Sequence, residues 1–204
     1  MRKWKWIWVY LNMWRVLPVY LIMCSCKHRK KTAMDFAVWQ DRLFRCAERK
    51  KGKLAKAGWC LLFHREFVSL LLNRLHRNPI MYAAVRVLFR PLDSLYIKMP
   101  PEKIGGGLYI QHGFSTILTA ERIGEYCSVY QQVTVGYHGT EQPVIGDHVT
   151  VCAGAIVIGG VSIGDHAVVG AGAVVTKSAD AYAVLAGVPA EVIKYRSPSE
   201  DADR

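Results

Sequence analysis

The chain has 204 residues, 51% of them hydrophobic, which suits one main domain with a small accessory region. Its net charge of +11 is uneven: residues 1–103 hold 22 Lys and Arg against 6 Asp and Glu, and residues 104–204 hold 5 against 10. So basic an N-terminal half fits anionic lipid, acidic glycan intermediates or nucleic acid, and no nucleic-acid motif accompanies it, which ranks that last class lowest.

Residues 1–24 are apolar and Trp-rich, and a basic cluster follows at Lys27–Lys31. A secretory signal needs an uninterrupted apolar core and a small-residue cleavage site. Here Asn12, Arg15 and Pro18 break the run. Lys5 and Arg15 inside it also disfavour a spanning helix, which wants about 20 largely uncharged residues. Trp and Tyr interleaved with Lys and Arg suit a membrane interface, so peripheral membrane contact is one expectation. Packing on the protein or on another subunit is the other.

Residues 35–57 read as a helix that dissolves into a basic linker bounded by Gly52 and Gly58. Residues 59–77 carry helical periodicity through Leu61, Leu62, Phe67, Leu70, Leu71 and Leu75. Asn78-Pro79 ends that helix, and another follows from Ile80 to about Phe89. His64 and His76 read as surface or helix-packing residues. The expected domains are a basic extension (1–57), a short helical region (58–96) and a β domain (97–196). The six cysteines form no CxxC or Cys/His array, which predicts a reducing compartment, no disulfide framework and no zinc site.

From Ile104 to Ala181 the sequence beats in sixes. Aliphatic residues fall at Ile104 and Ile110, recur after a slip of one at Ile123, Val129 and Val135, and resume at Ile145, Val151, Val157, Ile163, Val169 and Val175. Gly often follows, as at Gly105, Gly124, Gly146 and Gly164. A helix needs spacings of three and four and an amphipathic strand needs alternation, so neither gives a period of six. A coil of three short flat faces does, with one inward aliphatic residue per face and a small residue near each corner. Hexapeptide periods mark parallel β-helices, and this stretch predicts roughly four coils. Between Val135 and Ile145 ten residues replace six, so a loop leaves one corner there. Cys127 and Cys152 read as small core or corner residues.

These residues, IGGGLYIQHGFSTIL, IGEYCSVYQQVTVG and IGDHVTVCAGAIVIGGVSIGDHAVVGAGAVVTKSAD with AGVPAEVI after them, resemble the hexapeptide-repeat acyltransferases. They are most similar to the serine acetyltransferase branch and its relatives in surface-polysaccharide biosynthesis. The resemblance implies a left-handed parallel β-helix after a short helical N-terminal region, acetyl-CoA as co-substrate, no metal, a homotrimer and a cytoplasmic location, at the inner membrane face if the N-terminus attaches. It implies O-acetyl transfer to L-serine or to a sugar hydroxyl of a surface polysaccharide.

Such a transfer needs a base for the hydroxyl proton, donors for the oxyanion and a means of holding both reactants. His112 matches the family's catalytic histidine; a structural corner histidine is the plainer reading. His138 in the loop matches a pocket residue and is the rival base. Ala153 and Ala171 match acetyl-CoA contacts, with Gly154 and Gly172 beside them, and Lys177 and Lys194 are candidate phosphate partners. Tight corners also need small residues for their own sake. His148 and His166 share the repeat I-G-D-H and read as solvated turns.

Three departures concern the acceptor. Ile97 stands where the family has an orienting Asp, Gln111 replaces the acid before the histidine, and Glu141-Gln142 replaces an Arg-His pair. Asp93, Glu102 or Glu141 are the carboxylates that could take over. Gln111, His138 and Glu141 are thus the expected substrate contacts. A non-catalytic trimeric β-helix scaffold is the alternative function, and a three-histidine metal site the least supported one.

Overall fold

The computed structural model describes residues 3–44 and 51–197, which fall into two units, the first ending at Leu92 and the second beginning at Asp93.

The first unit is helical: α1 (Lys3–Leu11), α2 (Met13–Ser25), α3 (Arg29–Leu43), α4 (Lys53–Phe63), α5 (Arg65–Arg74) and α6 (Pro79–Leu88). Among the described residues six helices stand where the sequence suggested a short two-helix region after an extension. Helix α4 runs straight through Gly58, so Gly58 does not bound a linker. Its role is close approach: a Cβ there would lie 2.9 Å from a Val9 methyl and 3.4 Å from Val16. The rest of the expected linker, residues 45–50, lies outside the described residues. The helix expected over 59–77 breaks at His64, whose backbone is extended (φ −125°) and whose ring meets Trp39 edge-on at 5.8 Å. Helix α5 already ends at Arg74, short of the expected Asn78-Pro79 stop; Asn78 instead caps α6, its Oδ1 accepting from the Met81 N–H at 3.0 Å with Pro79 in the first turn. The core is aromatic, with Trp6 and Trp59 centroids 4.7 Å apart and Trp39 against Phe67 at 5.3 Å. A buried ion pair crosses it. Arg74 Nε donates to Asp35 Oδ2 at 2.9 Å, and its second nitrogen to Oδ1 at 3.1 Å.

The second unit is a parallel β-helix with three faces. One face stacks β1 (Leu95–Ile97), β3 (Thr116–Leu118), β6 (Thr134–Gly136), β9 (Ile156–Ile158) and β12 (Val174–Val175). A second stacks β2 (Tyr109–Ile110), β5 (Ser128–Val129), β8 (Thr150–Val151), β11 (Val168–Val169) and β13 (Ala183–Gly187), closed by antiparallel β14 (Ala190–Tyr195). The third holds β4 (Arg122–Ile123), β7 (Val144–Ile145) and β10 (Ser162–Ile163). Every predicted inward residue from Ile104 to Val175 is buried.

The solenoid has about five turns rather than four. The extra length lies at the ends. β1 precedes the Pro100-Pro101 interruption that hides it from the six-residue beat, and β13, pairing Leu185 with Val169, carries the coil past Ala181.

Candidate active site

Register shows how the corners differ. Along most of the stack, corresponding residues are eighteen apart, as in Val151 with Val169 and Ile156 with Val174. At the top, Ile110 pairs with Val129, nineteen on, yet Ile117 pairs with Thr134, seventeen on. Two residues are therefore extra in the corner between β2 and β3, and they are His112 and Gly113. The insertion throws the imidazole outward: His112 is exposed, and its backbone is left-handed at φ 63°. Histidine tolerates that region better than most side chains. Among the described residues its ring has no hydrogen-bond partner. The slip of one residue in the six-residue beat is what remains of these two after the next step, from the inward Leu118 to Ile123, takes five residues instead of six.

Below His112 the same edge continues through Gln131-Gln132, Ala153-Gly154 and Ala171-Gly172. The layers are tied by Gly154 N–H to Gln131 C=O at 3.0 Å and Gly172 N–H to Ala153 C=O at 2.9 Å. Gly154 and Gly172 are left-handed, at φ 70° and 67°. The two small pairs leave a strip of backbone without side chains. Gln111 starts the same corner, half-buried. One neighbour was overlooked in the sequence: Gln131, whose Oε1 is shielded from solvent without a hydrogen-bond partner. Its signal was present, since Gln-Gln stands where the next two coils have Ala-Gly.

The other expected contacts lie on a different edge. The loop after β6 uses four more residues than its counterpart, Arg122 pairing with Val144 at twenty-two and Val144 with Ser162 at eighteen. His138 and Glu141 pair their backbones in both directions at 3.2 Å and are exposed. Glu141 lies over the next coil, so that a Cβ on Gly160 would fall 2.9 Å from its Oε2. Lys177 is on this same edge two coils below, exposed, 3.9 Å from Glu191 on β14, whose Lys194 is also exposed. Thus the structure groups Gln111, His112, Ala153, Gly154, Ala171 and Gly172 at one end of the five-stranded face and His138, Glu141 and Lys177 at the other. Ile97 is half-buried on the first strand of that face, and its side chain offers no acceptor.

The third edge holds His148 and His166. They are not isolated turns: Tyr126, His148, His166 and Tyr182, all left-handed, stack at 5.2, 4.6 and 4.8 Å. Beside them Asp147 Oδ1 accepts the Glu125 N–H at 2.8 Å, and Asp165 Oδ1 accepts the Asp147 N–H at 2.7 Å. That explains the repeated I-G-D-H as a self-supporting corner.

The family model for the bacterial transferase hexapeptide (six repeats) matches residues 142–177. The chain is 37% identical over 139 residues to a serine acetyltransferase of Staphylococcus aureus and 32% identical over 139 residues to one of Staphylococcus epidermidis. Each match covers 64% of this chain and 64% of the relative, so the chain spans somewhat under two thirds of their length. A serine acetyltransferase structure from Neisseria gonorrhoeae superposes with a TM-score of 0.64 at 23% identity, over all of this chain and 84% of that one. A serine acetyltransferase in complex with CoA superposes at 0.60 and 21% identity, over 91% and 83%. Fold and repeat define a left-handed parallel β-helix of hexapeptide repeats. Within that class the chain is similar, over 139 residues, to proteins named serine acetyltransferase.

Proposed function

We propose that this protein is an O-acetyltransferase that moves acetyl from acetyl-CoA to a hydroxyl, with His112 as general base. The observation that carries the reading is the corner insertion: an exposed, unpartnered imidazole stands at the head of a strip of bare backbone. The acceptor oxygen attacks the thioester carbonyl as its proton passes to His112. The tetrahedral intermediate then collapses, the C–S bond breaks, and the CoA sulfur leaves with the proton that His112 returns. Along Ala153-Gly154 and Ala171-Gly172 the absence of side chains lets an extended pantetheine arm reach the backbone. The names of the relatives, and a similar fold titled as a CoA complex, support that assignment.

One chain does not complete this site. His112 and the CoA strip stand at one end of a face whose strands are two to three residues long, and His138, Glu141 and Lys177 stand at the other. A homotrimer would bring the second edge of one copy to the first edge of the next. In that arrangement Lys177 meets a phosphate, and His138 and Glu141 meet the acceptor.

L-serine is the first acceptor to try, because the relatives are named for it. A sugar hydroxyl of a surface polysaccharide is the second, favoured by Ile97 and Gln111 standing where the family has carboxylates that engage an amino acid. The test is CoA release from acetyl-CoA, with L-serine in one arm and sugars and nucleotide-sugars in the other. Release with either, lost in His112→Asn, supports the mechanism. Release that His112→Asn leaves unchanged overturns it, and CoA that fails to bind at all favours a scaffold.

A further inference from the structure

Helices α1 and α2 turn a large apolar surface outward. Both are apolar on two sides, so the packed side does not use up their hydrophobicity. Trp6 and Val9 of α1 and Val16, Val19 and Met23 of α2 are buried. The outward side shows Trp4, Trp8 and Leu11, spaced four and three, and then Trp14, Leu17 and Leu21, spaced three and four. Those spacings make one stripe per helix. The exposures are large, 71% for Trp14 and 66% for Leu11. Six large apolar side chains exposed along two successive helices mark an interaction site rather than an ordinary surface.

Charge selects the occupant. Residues 1–92 hold 20 Lys and Arg against 4 Asp and Glu. A second copy would bring the same excess of positive charge against the first, whereas an anionic surface is attracted to it. At the far end of the α2 stripe, Cys24 lines a cavity of about 480 Å³ whose wall also carries Arg29, Lys30 and Lys53. Cations at the rim of an apolar patch suit acidic headgroups above acyl chains. Indole rings are at their most favourable in that same boundary layer.

Geometry selects the mode. The helices have nine and thirteen residues and meet at a 77° bend after Leu11. At 1.5 Å per residue they measure roughly 14 and 20 Å, each short of a hydrocarbon core of about 30 Å. A bent pair with an outward aromatic stripe lies in the interface instead of crossing it.

We propose that α1 and α2 seat the protein on an anionic phospholipid bilayer, with Trp4, Trp8 and Trp14 in the headgroup layer. The reading is independent of acetyl transfer. The full chain is mixed with phosphatidylcholine vesicles with and without phosphatidylglycerol, and binding is read by flotation. Quenching of tryptophan fluorescence by bromine-labelled acyl chains is read alongside. The expected result is binding that requires phosphatidylglycerol, with strong quenching. A triple variant (Trp4→Ser, Trp8→Ser, Trp14→Ser) should bind at least about tenfold more weakly. Its CoA release with a soluble acceptor should be unchanged, which separates this test from the last. If circular dichroism shows the variant unfolded, quenching in the unmodified chain decides. Vesicles that float without the protein, binding unaltered by the triple substitution, or absence of quenching would each overturn the proposal. So would loss of self-association in the triple variant when the unmodified chain ignores vesicles, which would give the face to a second copy.

Discussion

At the scale of single residues, backbone conformation decides which substitutions are informative. His112 is left-handed, where Ala is strained and Asn is tolerated. His112→Asn is therefore the cleaner removal of the proposed base, and turnover should fall about 10²–10⁴-fold with the melting temperature nearly unchanged. Gln131 makes the opposite kind of prediction. A buried acceptor without a donor costs about 1–3 kcal/mol, so Gln131→Leu should leave the isolated chain as stable or more so. If Gln131 accepts from substrate or from a second copy, the same change should raise KM or weaken self-association; steady-state kinetics and sedimentation read the two, and urea denaturation reads the stability. The cysteines separate by burial. Burial pushes the Cys127 thiol up to about 12, and it pushes the Cys60 thiol further. A raised pKa keeps both as neutral thiols near pH 8, so neither should react with a maleimide until the fold opens. Cys24, which is exposed, should label at once. Site-resolved mass spectrometry checks the order.

At the scale of elements, contacts made inside the helical unit were the least legible from sequence. The six-residue beat announced the solenoid because each inward position repeats the same local demand. Nothing comparable announces that Gly58 is where α4 crosses α1 and α2, since a glycine before a hydrophobic run reads equally as a boundary. Gly58→Ala tests the packing reading. Helix propensity alone would favour alanine by up to about 1 kcal/mol. With a Val9 methyl 2.9 Å from the new carbon, net destabilisation of about 1–3 kcal/mol is expected instead. The Asp35–Arg74 pair was equally hidden, its members being thirty-nine residues apart. With side-chain exposures of 2% and 0%, removing one partner strands the other charge. Asp35→Ala should cost about 3–5 kcal/mol in chemical denaturation, more than any exposed pair such as Lys103–Glu121. The candidate site was legible in part. His112 and the Ala-Gly corners stood out as motifs, but their separation from His138 onto another edge depends on which strand each corner follows, and no motif records that.

At the scale of the whole molecule, charge and chemistry are kept apart in sequence. The helical half carries the positive excess, while residues 104–204 hold 5 Lys and Arg against 10 Asp and Glu. A surface that attracts polyanions is thereby separated along the chain from the corners proposed to bind a small polyanion. Salt should weaken vesicle attachment steeply. CoA binding, if it relies as proposed on backbone contacts and few cations, should change far less across the same range; flotation and calorimetry would show the contrast.

The loop after β6 has an architectural consequence. Pairing is twenty-two residues apart across it and eighteen immediately afterwards, and Ile145 returns to the core as though nothing had intervened. A stack of coils keeps no memory of what leaves through a corner. The segment from Gly139 to Gln142 is an insertion that leaves the register of the frame intact, so its length can change without a change of fold; on the proposed reading, such a change would alter the choice of acceptor.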